Sequence, residues 1–246
     1  MRRTAPMLMR RLAAAQLGGV GVFALASAQS ASNERTADAR AEATMADMYG
    51  GLPDIHDISG DEQRVIDHSG GHQAYGELTM RGARAVQALL LPQQNDVFYD
   101  LGSGAGRLVV QAALEWPCHR AVGLELAQSR HRVGELALSR AAPHVRQRVS
   151  LRCEDMIACA RCEDATLVYV ASLLFDDAFM SQLGERLSEL PRLRAIASLR
   201  RFPPDSLPGF VEDERNFASG TDAATLRDRV EVTWGAARVF LYWRER

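Results

Sequence analysis

Lysine is missing from this chain: all 29 basic residues are arginine. Its absence excludes Schiff-base catalysis, a Walker-type phosphate lysine and modification of the chain's own lysines. Cysteine is scarce as well. The four cysteines, Cys118, Cys153, Cys159 and Cys162, are too few and too unevenly spaced for a disulfide scaffold in 246 residues. Cys159-x-x-Cys162 has the spacing of a redox pair or half a metal site, but no second CxxC or CxxH accompanies it, so both are read as ordinary thiols. Charge of one sign is lacking too. A net charge of -2 excludes a protein whose whole surface grips nucleic acid. Apolar material is plentiful: 47% hydrophobic residues can bury one substantial core.

The amino terminus stands apart from the rest. Arg2, Arg3, Arg10 and Arg11 precede any acid, and Leu12 to Ala28 is small and apolar, ending in Ala26-Ser27-Ala28. Residues 1–30 therefore read as a secretory or organelle-import segment, or else as a disordered tail, with too many glycines and alanines for a stable membrane span. Residues 31–71 read as a linker and a loop-rich approach with a short helix near Glu62 to Asp67, and residues 72–246 as the catalytic domain. His56, His68 and His72 lack metal-ligand spacing and are read as surface or hydrogen-bonding histidines, so no metal site is expected.

The chain is organised around Asp96 to Leu108. An apolar strand ends in Asp100-Leu101, glycines follow at Gly102, Gly104 and Gly106, and Leu108 to Trp116 turns helical before Pro117. A glycine turn opening a helix places backbone N–H groups against a nucleotide-like ligand. Ahead of it, Met80 to Leu91 predicts a helix stopped by Pro92. Beyond it, strands are predicted at Arg120–Glu125, Arg148–Arg152, Thr166–Ala171 and Leu193–Leu199, with helices at Ala127–Arg140 and from Asp176-Asp177 to Leu190. Val230–Trp234 and Arg238–Trp243 flank Gly235-Ala236-Ala237 and predict an antiparallel hairpin closing the sheet. Arg130, Arg132, Arg140, Arg146, Arg148 and Arg152 are read either as a basic face or as a solvated helix surface.

This pattern is an α/β fold: a mostly parallel, Rossmann-like class I methyltransferase sheet with a C-terminal antiparallel hairpin. The rival is a nicotinamide dehydrogenase, whose third glycine is replaced here by Arg107, and a non-catalytic scaffold is a further alternative. S-adenosylmethionine has two ribose hydroxyls, an adenine amine, an amino-acid end and a sulfonium. Glu125, ending the second strand, suits the ribose. Asp155, in the acidic turn after the third, suits the adenine amine, and the Gly102 to Gly106 backbone permits close approach.

Tyr75-Gly76-Glu77 before a helix, Asp100-Leu101-Gly102-Ser103-Gly104, Gly123-Leu124-Glu125, Val170 to Phe175 and Val232-Thr233-Trp234-Gly235 together resemble the Dot1 family of protein-lysine methyltransferases. The similarity runs over roughly residues 72–243, in the same order and at similar spacing. It implies a Rossmann-like rather than a SET-type enzyme, S-adenosylmethionine as methyl donor, and a lysine of histone H3 in the nucleosome core as acceptor. It further implies that Tyr75, Gly76 and Glu77 close over the methionine end of the donor, while Asp100, Gly102, Gly104, Glu125 and Asp155 hold the rest. Ser172 occupies the position of the family's asparagine beside the methyl group, Trp234 matches a tryptophan of the lysine channel, and Leu241 stands where a tyrosine is expected, between Phe240 and Tyr242.

Two features depart from the family. The amino-terminal part is short, and no lysine-rich tail is present to hold DNA phosphates, so no strong direct nucleic-acid signal exists. A histone acceptor places the protein in the nucleus, whereas a true targeting peptide places it in an organelle or the secretory pathway. The alternatives to the histone reading are methylation of a non-histone acceptor and donor binding without transfer.

Overall fold

The computed structural model describes residues 32–33, 35–56, 58–72, 76–213 and 229–245. The proposed targeting segment and Tyr75 lie outside them. The chain divides into two compact units, residues 1–43 and 44–246. In the first, residues 35–43 are helical. The second holds everything else, including residues 44–71, because Met45, Met48 and Tyr49 pack into its core.

Helix α1 (Gly60–His68) starts with a capping box: the Ser59 hydroxyl accepts from the Glu62 N–H while the Glu62 carboxylate accepts from the Ser59 N–H. Helix α2 (Met80–Leu90) is capped by Thr79 and stops at Leu91, which turns left-handed ahead of Pro92. Strand β1 (Val97–Leu101) is buried throughout. It leads through the glycine turn into α3 (Arg107–Glu115), β2 (Arg120–Glu125), α4 (Gln128–Ser139), the short α5 (Pro143–Arg146) and β3 (Val149–Cys153). Strand β4 (Leu167–Val170), helix α6 (Asp177–Ser188, capped by Asp176) and β5 (Ala195–Ser198) complete the alternation.

The main sheet runs β3-β2-β1-β4-β5 in parallel and continues through two antiparallel strands, β9 (Phe240–Arg244) and β6 (Phe210–Glu212). Chain order reverses between β1 and β4, and the crevice outside their carboxyl ends is where open α/β sheets bind ligands. Side chains alternate across β1. Phe98 enters the core beneath α2 and α3, whereas Val97, Tyr99 and Leu101 face Met180, Leu183 and Leu187 of α6. Phe98 packs against Trp116 with ring centroids 4.5 Å apart and the planes tilted by 53°. Phe98→Ala is therefore expected to cost about 3–5 kcal/mol of stability, read as a lower urea midpoint at unchanged slope.

The hairpin is displaced from its predicted place. Strands β7 (Arg229–Val232) and β8 (Gly235–Arg238) pair with each other as a separate two-stranded sheet, and Gly235-Ala236-Ala237 is strand, not turn. The turn is Thr233-Trp234, because Val232 sits opposite Gly235. The strand that closes the main sheet is β9, antiparallel to β5.

Of the arginines expected on one face or helix surface, Arg132, Arg140 and Arg146 are exposed, and five of the six donate to backbone carbonyls. Arg130 Nε donates to Ile55 O at 3.1 Å, and Arg140 to Gly50 O at 2.8 Å. Arg146 donates to Ser139 O at 3.2 Å, Arg148 to Ala113 O at 2.6 Å, and Arg152 to Arg161 O at 3.1 Å. Arg148 thus satisfies a carbonyl left unpaired at the end of α3, where a cation also meets the negative end of the helix dipole. The cysteine reading is corrected as well: Cys159 and Cys162 form a disulfide, leaving Cys118 buried and Cys153 exposed. Among the described residues no group of His, Cys, Asp and Glu is arranged to hold a metal, and no helix is long and apolar enough to cross a membrane.

Candidate active site

The glycine turn follows β1 with Gly102, Gly104 and Gly106 all at positive φ, a conformation that side-chain-bearing residues rarely adopt. The N–H groups of Gly102 and Ser103 both donate to Leu124 O at 2.9 Å, which ties the turn to the end of β2. Glu125 follows there and is 7% exposed. Its Oε2 accepts from Gly104 N at 2.7 Å and its Oε1 from Ala127 N at 2.8 Å. One carboxylate therefore fixes the glycine turn and the entry to α4 together.

A cavity of about 330 Å³ opens beside this turn, within the range of small-molecule sites. Its lining includes Gly102, Leu124, Glu125 and Asp155 together with Ala171, Leu173, Phe175 and Trp234. Asp155 Oδ1 accepts from Ile157 N at 2.8 Å, which holds the turn after β3 and keeps the carboxylate at the cavity. A smaller chamber adjoins at Gly76, Gly102 and Ala171, lined also by Glu77, Asp100 and Tyr169. Asp100 is 4% exposed; burial first, then the charges of Glu125 and Glu77, push its carboxyl up to about 8.

Residues 77–79 run alongside β7. Leu78 bridges to Val232, Thr233 N donates to Glu77 O at 2.9 Å, and Thr79 N donates to Glu231 O at 3.1 Å. This pairing brings Gly76 against the Trp234 ring, where an added Cβ would lie 1.6 Å from Trp234 Cζ3. Any larger residue there would displace the Trp234 ring. Arg107, which breaks the dehydrogenase fingerprint, stacks over the Tyr49 ring at 4.2 Å and holds Glu77 by an ion pair at 3.2 Å that lacks hydrogen-bond geometry.

The structure thus brings together Gly76, Glu77, Asp100, Gly102, Gly104, Glu125, Asp155 and Trp234. It does not bring Ser172 to the cavity wall. Ser172 is fully buried, its hydroxyl 2.7 Å from Ser198 Oγ and accepting from Arg200 N at 3.0 Å, while its neighbours Ala171 and Leu173 line the cavity. Leu241 is buried opposite Ala197 in the main sheet, and the Tyr242 hydroxyl accepts from Phe202 N at 3.0 Å, so this tail serves the core. Sequence reasoning missed the wall supplied by Ile66, Ser69 and His72, with Phe179 of α6. The Ser59-x-x-Glu62 capping box was the available signal for the helix that carries it.

A family model described as "Histone methylation protein DOT1" matches residues 66–243. The chain belongs to the DOT1 family. Among curated proteins, this DOT1-family chain is 28% identical over 183 residues to "Histone-lysine N-methyltransferase, H3 lysine-79 specific" of Candida albicans. The match covers 69% of this chain and 13% of that much longer protein. Among solved structures, geranyl diphosphate C-methyltransferase from Streptomyces coelicolor A3(2) aligns at TM-score 0.51 and 10% identity, over 77% of this chain and all of that one. An RNA methyltransferase from Salinibacter ruber bound to S-adenosyl-L-homocysteine aligns at TM-score 0.44 and 22% identity, over 67% of this chain and 91% of that one. The fold of the DOT1-family domain is accordingly the Rossmann-like class I methyltransferase sheet.

Proposed function

We propose that this chain is an S-adenosylmethionine-dependent protein-lysine N-methyltransferase, with a lysine of the histone H3 core in nucleosomes as its acceptor. The observation that carries the reading is a single cavity lined both by a ribose-type carboxylate, Glu125, and by the Gly76–Trp234 contact. Family membership supports the activity, and the name of the Candida albicans relative supports the acceptor and a nuclear, chromatin-associated site of action.

The residues fit the donor. Glu125 keeps lone pairs beyond those given to Gly104 N and Ala127 N and would accept the ribose hydroxyls, and Asp155 would accept the adenine amine. Glu77 would supply negative charge beside Gly76 for the cationic methionine end, and Asp100 a carboxyl that ionises when that cation binds. S-adenosylmethionine, when bound, supplies an electrophilic methyl group on its sulfonium. The protein's own work is alignment and dehydration. Leu173, Phe175 and Trp234 present apolar surface to the approaching amine, and burial against it lowers a lysine pKa toward the neutral, nucleophilic form. We assign the wall position beside the methyl group to Ala171 and a positioning role to Ser172, whose hydroxyl ties the loop after β4 to the end of β5.

Asp100 gives this reading a pH signature. Its carboxyl lies near 8 in place of 3.8, so it is largely protonated at pH 7, and a cationic ligand favours the ionised form. Donor binding is expected to release close to one proton at pH 7 and to tighten as pH rises toward 8. Calorimetry in buffers of different ionisation enthalpy reads this directly, and buffer-independent heats would remove Asp100 from the donor site. Without ligand the sign is opposite. A raised carboxyl pKa contributes stability that is complete below about pH 3.8 and is lost as pH rises through about 8.

Transfer is tested with labelled S-adenosylmethionine on reconstituted nucleosomes and free histones, with mass spectrometry of the product. Label on a histone H3 core lysine is expected. Label only on other proteins favours a non-histone acceptor, a reading supported by the targeting-like composition of residues 1–30. Donor binding without transfer favours a donor-binding protein, a reading supported by the lack of a polar side chain at Ala171.

A further inference from the structure

We infer that Glu62 is a positioning residue that latches the amino-terminal wall of the donor cavity onto the first turn of α4. This rests on the donor-site reading above. The N-cap of helix α4 is Ala127, whose side chain offers no cap, so the first N–H groups of the helix need partners from elsewhere. Glu62 supplies one across 67 residues of chain: its Oε1 accepts from Ser129 N at 2.6 Å. Its Oε2 accepts from Ser59 N and from the Ser59 hydroxyl, both at 3.0 Å. The same carboxylate thus completes the capping box of α1 and caps α4. Burial works to raise its pKa, yet the hydrogen bonds from Ser129 and Ser59 win and hold it at about 2.

The latch is placed where it governs the cavity. The N-cap of α4 lies two residues after Glu125, whose Oε1 accepts from Ala127 N at 2.8 Å, so the helix end held by Glu62 is the one that sets the ribose carboxylate. On its other side, α1 brings Ile66, Ser69, Gly71 and His72 to the cavity wall. Ile66 is the one buried residue of α1. A helix with so little apolar anchoring depends on polar links, here Glu62 to Ser129 and, from the preceding segment, Arg130 to Ile55 O. Because Glu62 bonds to Ser59 and Ser129 and does not line the cavity, its loss should loosen the wall and leave the transfer step intact.

The test compares wild type with Glu62→Ala and Glu62→Gln. Glutamine is accepted in a capping box but has a single acceptor oxygen, so it can serve Ser59 or Ser129 and not both. Expected are a Kd for S-adenosylmethionine raised about tenfold by alanine and severalfold by glutamine, a matching rise in donor KM, and kcat within about twofold of wild type. Hydrogen exchange of amides 60–72 in the donor-free protein should accelerate in both variants. An unchanged Kd and KM, or a kcat that falls together with affinity, overturns the latch. If wild type binds no S-adenosylmethionine, the donor reading fails instead, and the exchange rates decide the latch alone: acceleration supports it and unchanged protection overturns it.

Discussion

Glu125→Ala is expected to weaken S-adenosylmethionine binding by at least about a hundredfold, the largest loss of affinity from any single truncation in the site. Two ribose hydroxyls each lose a charged acceptor, and a hydrogen bond to a charged group contributes roughly 1.5–3 kcal/mol. The substitution also acts on the free protein. It strips Gly104 N and Ala127 N of their acceptors at buried positions, and each unpaired N–H costs about 1–3 kcal/mol. Affinity and melting temperature should therefore fall together. Glu125→Gln separates the two effects, because its amide oxygen keeps one backbone partner while the charge is gone. Calorimetry giving a Kd within about threefold of wild type for the folded alanine variant would remove the ribose assignment.

Trp234→Ala is expected to lower kcat/KM for the protein acceptor by about a hundredfold while leaving donor affinity within about threefold. The ring is 51% exposed, so its removal opens no core cavity and little stability is lost. What disappears is the ring packed against Gly76, which in the proposed function narrows the approach of the amine and keeps water from it. Steady-state kinetics against nucleosomes, with donor binding measured in parallel, separate an acceptor wall from a general packing role. An equal loss of donor affinity would place Trp234 in the donor site, and unchanged kinetics would remove it from the path of the acceptor.

The parts of the fold visible in the sequence are those whose neighbours are close in the chain. Apolar runs bounded by Asp100 and Glu125 marked β1 and β2, and Pro92 and Pro117 marked where helices end, because strand burial and the missing proline N–H are local constraints. The hairpin was misplaced by a few residues for the opposite reason. Gly235-Ala236-Ala237 looks like a turn, yet Ala237 is buried opposite Val230, and this non-local pairing overrides weak strand propensity. Strand β6 is three residues long and is defined by its pairing with β9, which no local pattern announces.

The candidate site shows the same division. Glu125, Asp155 and the glycines were legible because each lies at a strand end or in the turn just beyond one. Ser172 and Ala171 were not separable, since a one-residue change in where a strand ends exchanges the residue in the wall for the one in the interior. Arginine counts said nothing of where guanidinium groups go, and at Arg130, Arg140 and Arg148 they go to carbonyls. The Glu62 latch joins residues 67 apart and needs the fold to be seen.

The central claim is that one cavity holds the methyl donor against Glu125 and opens to the acceptor beside Trp234. A crystal structure of the protein with S-adenosylhomocysteine tests it most directly. The account predicts ribose hydroxyls on the Glu125 carboxylate, the adenine amine on Asp155, and the sulfur facing the opening between Ala171 and Trp234. A ligand bound elsewhere, or in this cavity with its ribose away from Glu125, would contradict it.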